Sequence, residues 1–303
     1  MVVLAAGLVA RLAWFTDRVA ADVSAPEKVF GFFTVVAALD VLGVRFDLDG
    51  HPLVAAVLAG VGAAVWLVLT YAIPASLLLN RHVESVLGGI NGTWLLWVVA
   101  TQSLSTLAAV LAEAFPARAD LLGPFAVGFW GVGLVLYLML VSLIMLRWLT
   151  VPMTPAALGP PYWILMGATA ITVLAGARIL SLPATLAIRQ AAAGVVEGLS
   201  LVLWAFGTWW IPLLVVLGVW RHTKHRWPLR YETGLWSVVF PLGMYSVATL
   251  SFGKAAHLGF MHPLARVMIW VAVAAWVVVA ASPAVQALWH RKGAELTATP
   301  SVQ

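Results

Sequence analysis

The chain has 303 residues, 63% of them hydrophobic and only 10% charged, with a net charge of +5 and a mean hydropathy of +1.00. A soluble domain carries about 25% charged residues, so a water-soluble fold is excluded, and the long unbroken apolar runs exclude the alternating pattern of a membrane β-barrel. The class that remains is an all-α polytopic membrane protein, because helices satisfy their own backbone polar groups in lipid.

In chain order, the opening MVVLAAGLVARLAWF reads as a short or incomplete membrane helix. It lacks a basic n-region and Arg11 interrupts it, so it is a poor signal peptide. Further spans are expected near 29–46, 52–79, 92–112, 122–146, 161–180, 195–220, 234–253 and 264–289, giving nine segments with short connections. Residues 1–290 form one transmembrane helical domain on this reading, and 291–303 a short cytoplasmic tail, expected to be disordered. Taking alternate connections, 11 of the 17 Lys and Arg residues fall on one side, among them Arg81, Arg147, Arg221, Lys224, Arg226 and Arg291. The positive-inside rule then places that side and the C-terminus in the cytoplasm of a plasma (inner) membrane.

The spans alternate in character. Those at 29–46, 92–112, 161–180 and 234–253 carry small and polar residues, including Thr34 and Asp40, Thr101 and Gln102, and Thr169 and Thr172. The intervening spans are dominated by Val, Leu, Ala and Trp. Bulky aliphatics are indifferent to lipid, whereas small and polar residues favour helix–helix or water-facing positions. The pattern predicts repeated helical hairpins with one inward and one outward helix each.

Asp40 is the clearly intramembrane acid, and a residue of that kind is a functional candidate by default. Two roles are open to it: structural pairing, with Arg45 about one turn on, or a part in permeation or proton coupling. The seven histidines lie in loops or at span ends, which leaves no facing pair for a haem. His222 and His225, beside Lys224 and Arg226, read as a solvated loop. Trp94, Trp97, Trp163, Trp209 and Trp210 fall near span boundaries and suit aromatic-belt anchoring. The chain has no cysteine, so thiolate metal sites and cysteine nucleophiles are absent. No Ser/His/Asp set or Walker motif is present, and nothing calls for a cofactor or a nucleic-acid partner.

The segment GLWSVVFPLGMYSVATLSFG, 234–253, carries the most information. Pro241 frees the Ser237 carbonyl and disfavours a straight helix, and Gly243 follows two residues later. Ser237, Tyr245, Ser246, Thr249 and Ser251 supply hydroxyls that gain nothing from facing acyl chains. Read from these residues alone, the segment fits either a kinked packing helix or a pore helix with Phe240 projecting from it.

Four stretches, NGTWLLWVVATQS (91–103), PPYWILMGATAITVLAG (160–176), LWAFGTWWIPLL (203–214) and LWSVVFPLGMYSVATL (235–250), together resemble the tellurite-resistance/dicarboxylate transporter family, which includes TehA-like proteins and the plant slow anion channels. The likeness is nearest to the actinobacterial branch and runs from Val29 to about Trp289. It implies ten transmembrane helices arranged as five hairpins around a pseudo-five-fold pore, a homotrimer, and a phenylalanine gate that falls by motif on Phe240. Pro241 and Gly243 then mark the kink of the gate helix, and Ser237, Met244, Ser251, Thr101, Gln102, Thr169, Thr172, Thr34 and Asp40 are expected to line the pore. Nothing matches the family's first helix, so the nine segments correspond to helices two to ten, and the chain reads as truncated or assigned too late a start. The resemblance implies an anion channel or transporter whose partners are the bilayer and small anions of the C4-dicarboxylate, tellurite, sulfite or halide type. The alternatives are an integral-membrane enzyme and a non-conducting truncated member.

Overall fold

A computed structural model describes residues 7, 10, 11, 13–79 and 86–297, with the side chains of 24, 284, 285 and 287–297 excepted. Most of the expected opening span, and the loop holding Arg81 and His82, lie outside the described residues. A short helix α1 (Thr16–Ser24) is followed by α2 (Val29–Leu48), α3 (Pro52–Leu79), α4 (Gly92–Ala114), α5 (Pro116–Thr150), α6 (Pro160–Ser181), α7 (Ala187–Lys224), α8 (Thr233–Ala255) and α9 (Met261–Thr297). No strand occurs among the described residues. The eight helices α2 to α9 are long and apolar enough to cross a membrane, matching the eight spans expected after the opening segment. The segment from Arg291, expected to be disordered, is helical as far as Thr297; 298–303 lie outside the described residues.

The four polar helices share a start. Each of α2, α4, α6 and α8 opens with a 3-10 turn, at Val29–Phe32, Gly92–Leu95, Pro160–Trp163 and Thr233–Leu235. Each of these turns contains glycine or proline, as in VFGF, GTWL, PPYW and TGL, and Asn91 caps one of them by accepting from the Thr93 N–H at 2.8 Å. The aliphatic helix α5 opens in the same way, at Pro116–Arg118.

By contact the chain divides into two compact units, Met1–Pro152 with Arg178–Val196, and Met153–Ala177 with Glu197–Gln303. In the first unit α2 pairs with α3 and α4 with α5, and α4 also packs on α2 and α3. Glycines let the backbones approach: a Cβ on Gly43 would stand 2.7 Å from Leu107, and one on Gly62 would stand 2.8 Å from the Asp40 carboxylate. In the second unit α8 packs along α9. Their turn is tight at Gly253, where a Cβ would stand 2.8 Å from Met261. Burial follows the polar alternation in part: 83% of the most apolar stretch of α4 and 89% of that of α6 is buried within the chain, against 11% in α3, 22% in α7 and 17% in α9, whereas α2, α5 and α8 are alike at 39%.

Three of the tryptophans expected at the membrane boundary are engaged in packing within the chain. Trp210 is fully buried. Trp94 is buried against Phe30 and donates its indole N–H to the Pro26 carbonyl at 2.9 Å, and Trp97 donates to Thr70 Oγ1 at 2.8 Å. An indole N–H in an apolar interior requires an acceptor, and here the segment before α2 and Thr70 of α3 supply them. Trp209 is exposed, in keeping with an anchoring position.

Candidate functional site

Helix α8 is two-sided. Pro241, Leu242, Tyr245, Ser246, Ala248, Thr249, Phe252 and Gly253 are buried. Trp236, Phe240, Val247, Leu250 and Lys254 are exposed, and Ser237, Gly243, Met244 and Ser251 are half-covered. Spacings of three, four and seven residues gather this second set into one stripe along the helix. Phe240, 38% exposed, lies in the N-terminal half of that stripe. A Cβ built on Gly243 meets nothing within 4 Å, so packing does not account for that glycine.

Pro241 points the other way. It lies on the bare face of Gly167 in α6, where a Cβ would come within 2.8 Å of the proline ring. The helix continues through Pro241, five residues after its first α-helical residue, Trp236, so the proline costs one hydrogen bond, that to the Ser237 carbonyl. The ring beside Phe240 is therefore seated against α6 while Phe240 itself is left uncovered.

The hydroxyls of α8 divide between the two faces. Tyr245 shares a 2.7 Å hydrogen bond with Thr208 of α7. Thr249 donates to the Tyr245 carbonyl at 2.6 Å and accepts from the Trp204 indole at 3.0 Å, while Ser246 donates to the Ala265 carbonyl of α9 at 2.8 Å. These three are helix–helix ties. Ser237 and Ser251, with Met244, remain on the stripe.

Helix α2 shows the same division. Thr34, Ala38, Val41 and Arg45 form an exposed stripe at intervals of four, three and four residues. Thr34 donates to the Gly31 carbonyl at 2.7 Å, and Arg45 pairs with Asp49 at 2.8 Å, not with Asp40 as its spacing had suggested. Asp40 lies on the opposite face, buried among α2, α3 and α4. Its Oδ2 accepts from Ser103 Oγ at 2.6 Å, and Oδ1 lies over the glycine gap at Gly62 with no hydrogen-bond donor.

The other expected lining residues are interior to the bundle. Thr101 accepts from the Trp66 indole and donates to the Trp97 carbonyl, both at 2.8 Å. Gln102 donates to the Trp130 carbonyl at 3.0 Å, across the bare face of Gly133. Thr169 and Thr172 donate to carbonyls of their own helix, Met166 and Ala168, at 2.7 Å, and Thr169 also fills the space over Gly207. All four are buried with 1% or less exposure. The structure thus separates an exposed or half-covered group, Phe240, Thr34, Gly243, Met244, Ser237 and Ser251, from a buried group, Asp40, Thr101, Gln102, Thr169 and Thr172. The sequence carried no sign of Gly133, Trp204 or Thr208 as partners, because each acts across a helix pair far apart in the chain.

Comparison with known proteins agrees with this architecture. The profile of the family described as voltage-dependent anion channel, SLAC1, matches residues 1–283. An uncharacterized membrane protein of Mycobacterium tuberculosis is 51% identical over 143 residues, 47% of this chain and 72% of its own length. An uncharacterized transporter of Methanocaldococcus jannaschii is 22% identical over 275 residues, covering 89% of this chain and 76% of its own. A second transporter of that organism is 24% identical over 149 residues, 49% of this chain and 42% of its own. No solved structure matches the chain significantly. With the family profile spanning nearly all of it, the chain belongs to the voltage-dependent anion channel family, the slow anion channel and tellurite-resistance group that its four motifs resemble.

Proposed function

We propose that this protein is a membrane anion channel or transporter that passes small anions along the uncovered stripe of α8, with Phe240 as the gate. The observation that carries the reading is the opposition at Phe240–Pro241. One residue is seated against α6 and its neighbour lies on the stripe with 38% of its surface exposed. A bulky ring on a fixed helix blocks a narrow path in one rotamer and clears it in another, with no movement of the backbone. The free space beside Gly243 supports such a motion.

The rest of the stripe is near-neutral, with Ser237 and Met244 one turn from Phe240, Ser251 about three turns on and Lys254 at its end. Conduction needs binding strong enough for entry and weak enough for release, and a near-neutral path with a positive end meets that condition for an anion. The substrate class is a C4-dicarboxylate, tellurite, sulfite or halide. The assembly is a homotrimer in the plasma (inner) membrane with its C-terminus in the cytoplasm, following the family resemblance and the basic excess of the loops.

The test is reconstitution in liposomes with an anion-substitution series, comparing wild type with Phe240→Ala. Flux should rise in the variant with its thermal midpoint unchanged. Equal flux from the two proteins removes Phe240 as the gate. No flux from either, with both folded, removes the anion pathway. Electrogenic flux indifferent to pH identifies a channel, and flux coupled to a proton gradient identifies a carrier.

A further inference from the structure

The C-terminal end of α7 does not finish as an ordinary helix. Trp220–Lys224 widens into a π-helical turn, and Arg226 then takes a positive φ of 48°. The connection to α8 carries Arg221, His222, Lys224, His225, Arg226 and Arg230 against a single acid, Glu232. Most of these side chains are exposed, but Arg221 is 4% exposed. Its Nη1 stands 3.3 Å from Glu232 Oε1, its guanidinium carbon lies 5.1 Å from the centre of the Trp227 ring, and its Nε has no hydrogen-bond partner. A guanidinium offers five N–H donors, and burying it is costly unless they are used. One long contact to a half-exposed carboxylate leaves this one under-neutralised.

Arg221 borders an open hollow of about 720 Å³. The hollow has two kinds of wall. Arg221, His222, Arg230 and Tyr231 line it together with Glu232, and Leu235 with Val278 and Val279 of α9 supply apolar surface. His222 holds its Nδ1 2.9 Å from the Trp227 carbonyl, so its other nitrogen reaches an anion only when the ring is protonated. Among the described residues the fixed cations facing the space are therefore Arg221 and Arg230, and the opposing charge is Glu232.

We propose that this hollow is a binding site for an anionic phospholipid, a role beyond the conduction reading above and independent of it. The phosphate takes the free donors of Arg221 and a donor of Arg230. An acyl chain lies on Leu235, Val278 and Val279. Glu232, 45% exposed, turns to solvent when the phosphate enters. A free oxyanion satisfies the cations but leaves the apolar wall uncovered, whereas a lipid satisfies both. The hollow also lies at the end of a membrane-spanning helix, the level at which basic clusters meet headgroups.

The test uses the full-length protein in detergent, with phosphatidylglycerol and phosphatidylcholine of matched chains titrated and bound lipid counted by native mass spectrometry. Wild type should prefer phosphatidylglycerol, and Arg221→Gln and Arg230→Gln should each weaken it by about fivefold, near the 1 kcal/mol assigned to one basic residue at a membrane surface. Arg230 is exposed, so its variant keeps the test sound if Arg221→Gln fails to fold. Val278→Asn should weaken lipid binding while leaving binding of inorganic phosphate unchanged. Equal retention of the two lipids by wild type, or a preference unchanged in Arg230→Gln, overturns the proposal. Inorganic phosphate that displaces the lipid completely, with Val278→Asn behaving as wild type, overturns it in favour of a free-anion site.

Discussion

Pro241 of α8 rests on Gly167 of α6 so closely that a single methyl on the glycine would meet the proline ring at 2.8 Å. The contact fixes the turn of α8 that bears Phe240, since a proline ring cannot rotate away as a longer side chain can. A glycine in the middle of a membrane helix weakens it locally; here it makes room for a rigid neighbour.

Enlarging that glycine should move the helix or destabilise the protein. Gly167→Val overfills a well-packed contact, which costs about 1–3 kcal/mol, and its thermal midpoint in detergent should fall clearly below wild type. Gly243→Ala, two residues beyond Pro241, enters open space and should leave the midpoint unchanged or higher. A Gly167→Val protein as stable as wild type would show that the contact is loose.

The hydroxyls of α8 should separate into two classes. Tyr245→Phe and Thr249→Val each break a buried tie, to Thr208 and to Trp204, and should cost about 1–3 kcal/mol where a donor or acceptor is left unsatisfied. Ser237→Ala and Ser251→Ala lie on the uncovered stripe and should leave stability unchanged while altering the relative flux of different anions. Equal thermal midpoints for all four variants would remove the distinction.

Ser103→Ala takes from Asp40 the donor at 2.6 Å and leaves a buried carboxyl oxygen with nothing to bind. Asp40→Asn keeps a polar group of similar shape there. The serine variant should therefore lower the thermal midpoint more than the asparagine variant. The double variant should fall short of the sum of the two, because both act on one bond. Asp40 faces α3 and α4 and not the exposed stripe of α2, so the dependence of flux on pH should be the same in Asp40→Asn as in wild type. A flattened profile in the variant would return Asp40 to the permeation path.

Gly133→Ala tests the buried amide. Its methyl falls on the Gln102 side chain, which must then leave the Trp130 carbonyl. Loss of that buried hydrogen bond should cost about 1–3 kcal/mol, and Gln102→Leu in the same background should recover part of it. Gly128→Ala, where the added methyl meets nothing within 4 Å on the same helix, is the matched control and should leave the midpoint unchanged or higher.

Much of this architecture was legible in the residues. The eight membrane helices from α2 to α9, their approximate ends and the alternation of polar with aliphatic spans follow from hydropathy along one dimension. The energy of placing a side chain in lipid depends on its own chemistry and hardly on its neighbours. The four motifs that place the chain in its family, and the conspicuous Phe240–Pro241 step, were equally open to reading. The facing of each helix was not. In water an apolar stripe marks the buried side of a helix; in a bilayer both the interior and the surroundings are apolar, and the apolar residues of α8 run all the way round it. Tertiary structure alone decided that Phe240, Ser237 and Ser251 stand exposed or half-covered while Thr101, Gln102, Thr169 and Asp40 are consumed in packing. A hydroxyl or carboxylate in hydrocarbon takes whichever partner a neighbouring helix offers, and those partners, Trp66, Trp130 and Ser103, are set by how the helices cross.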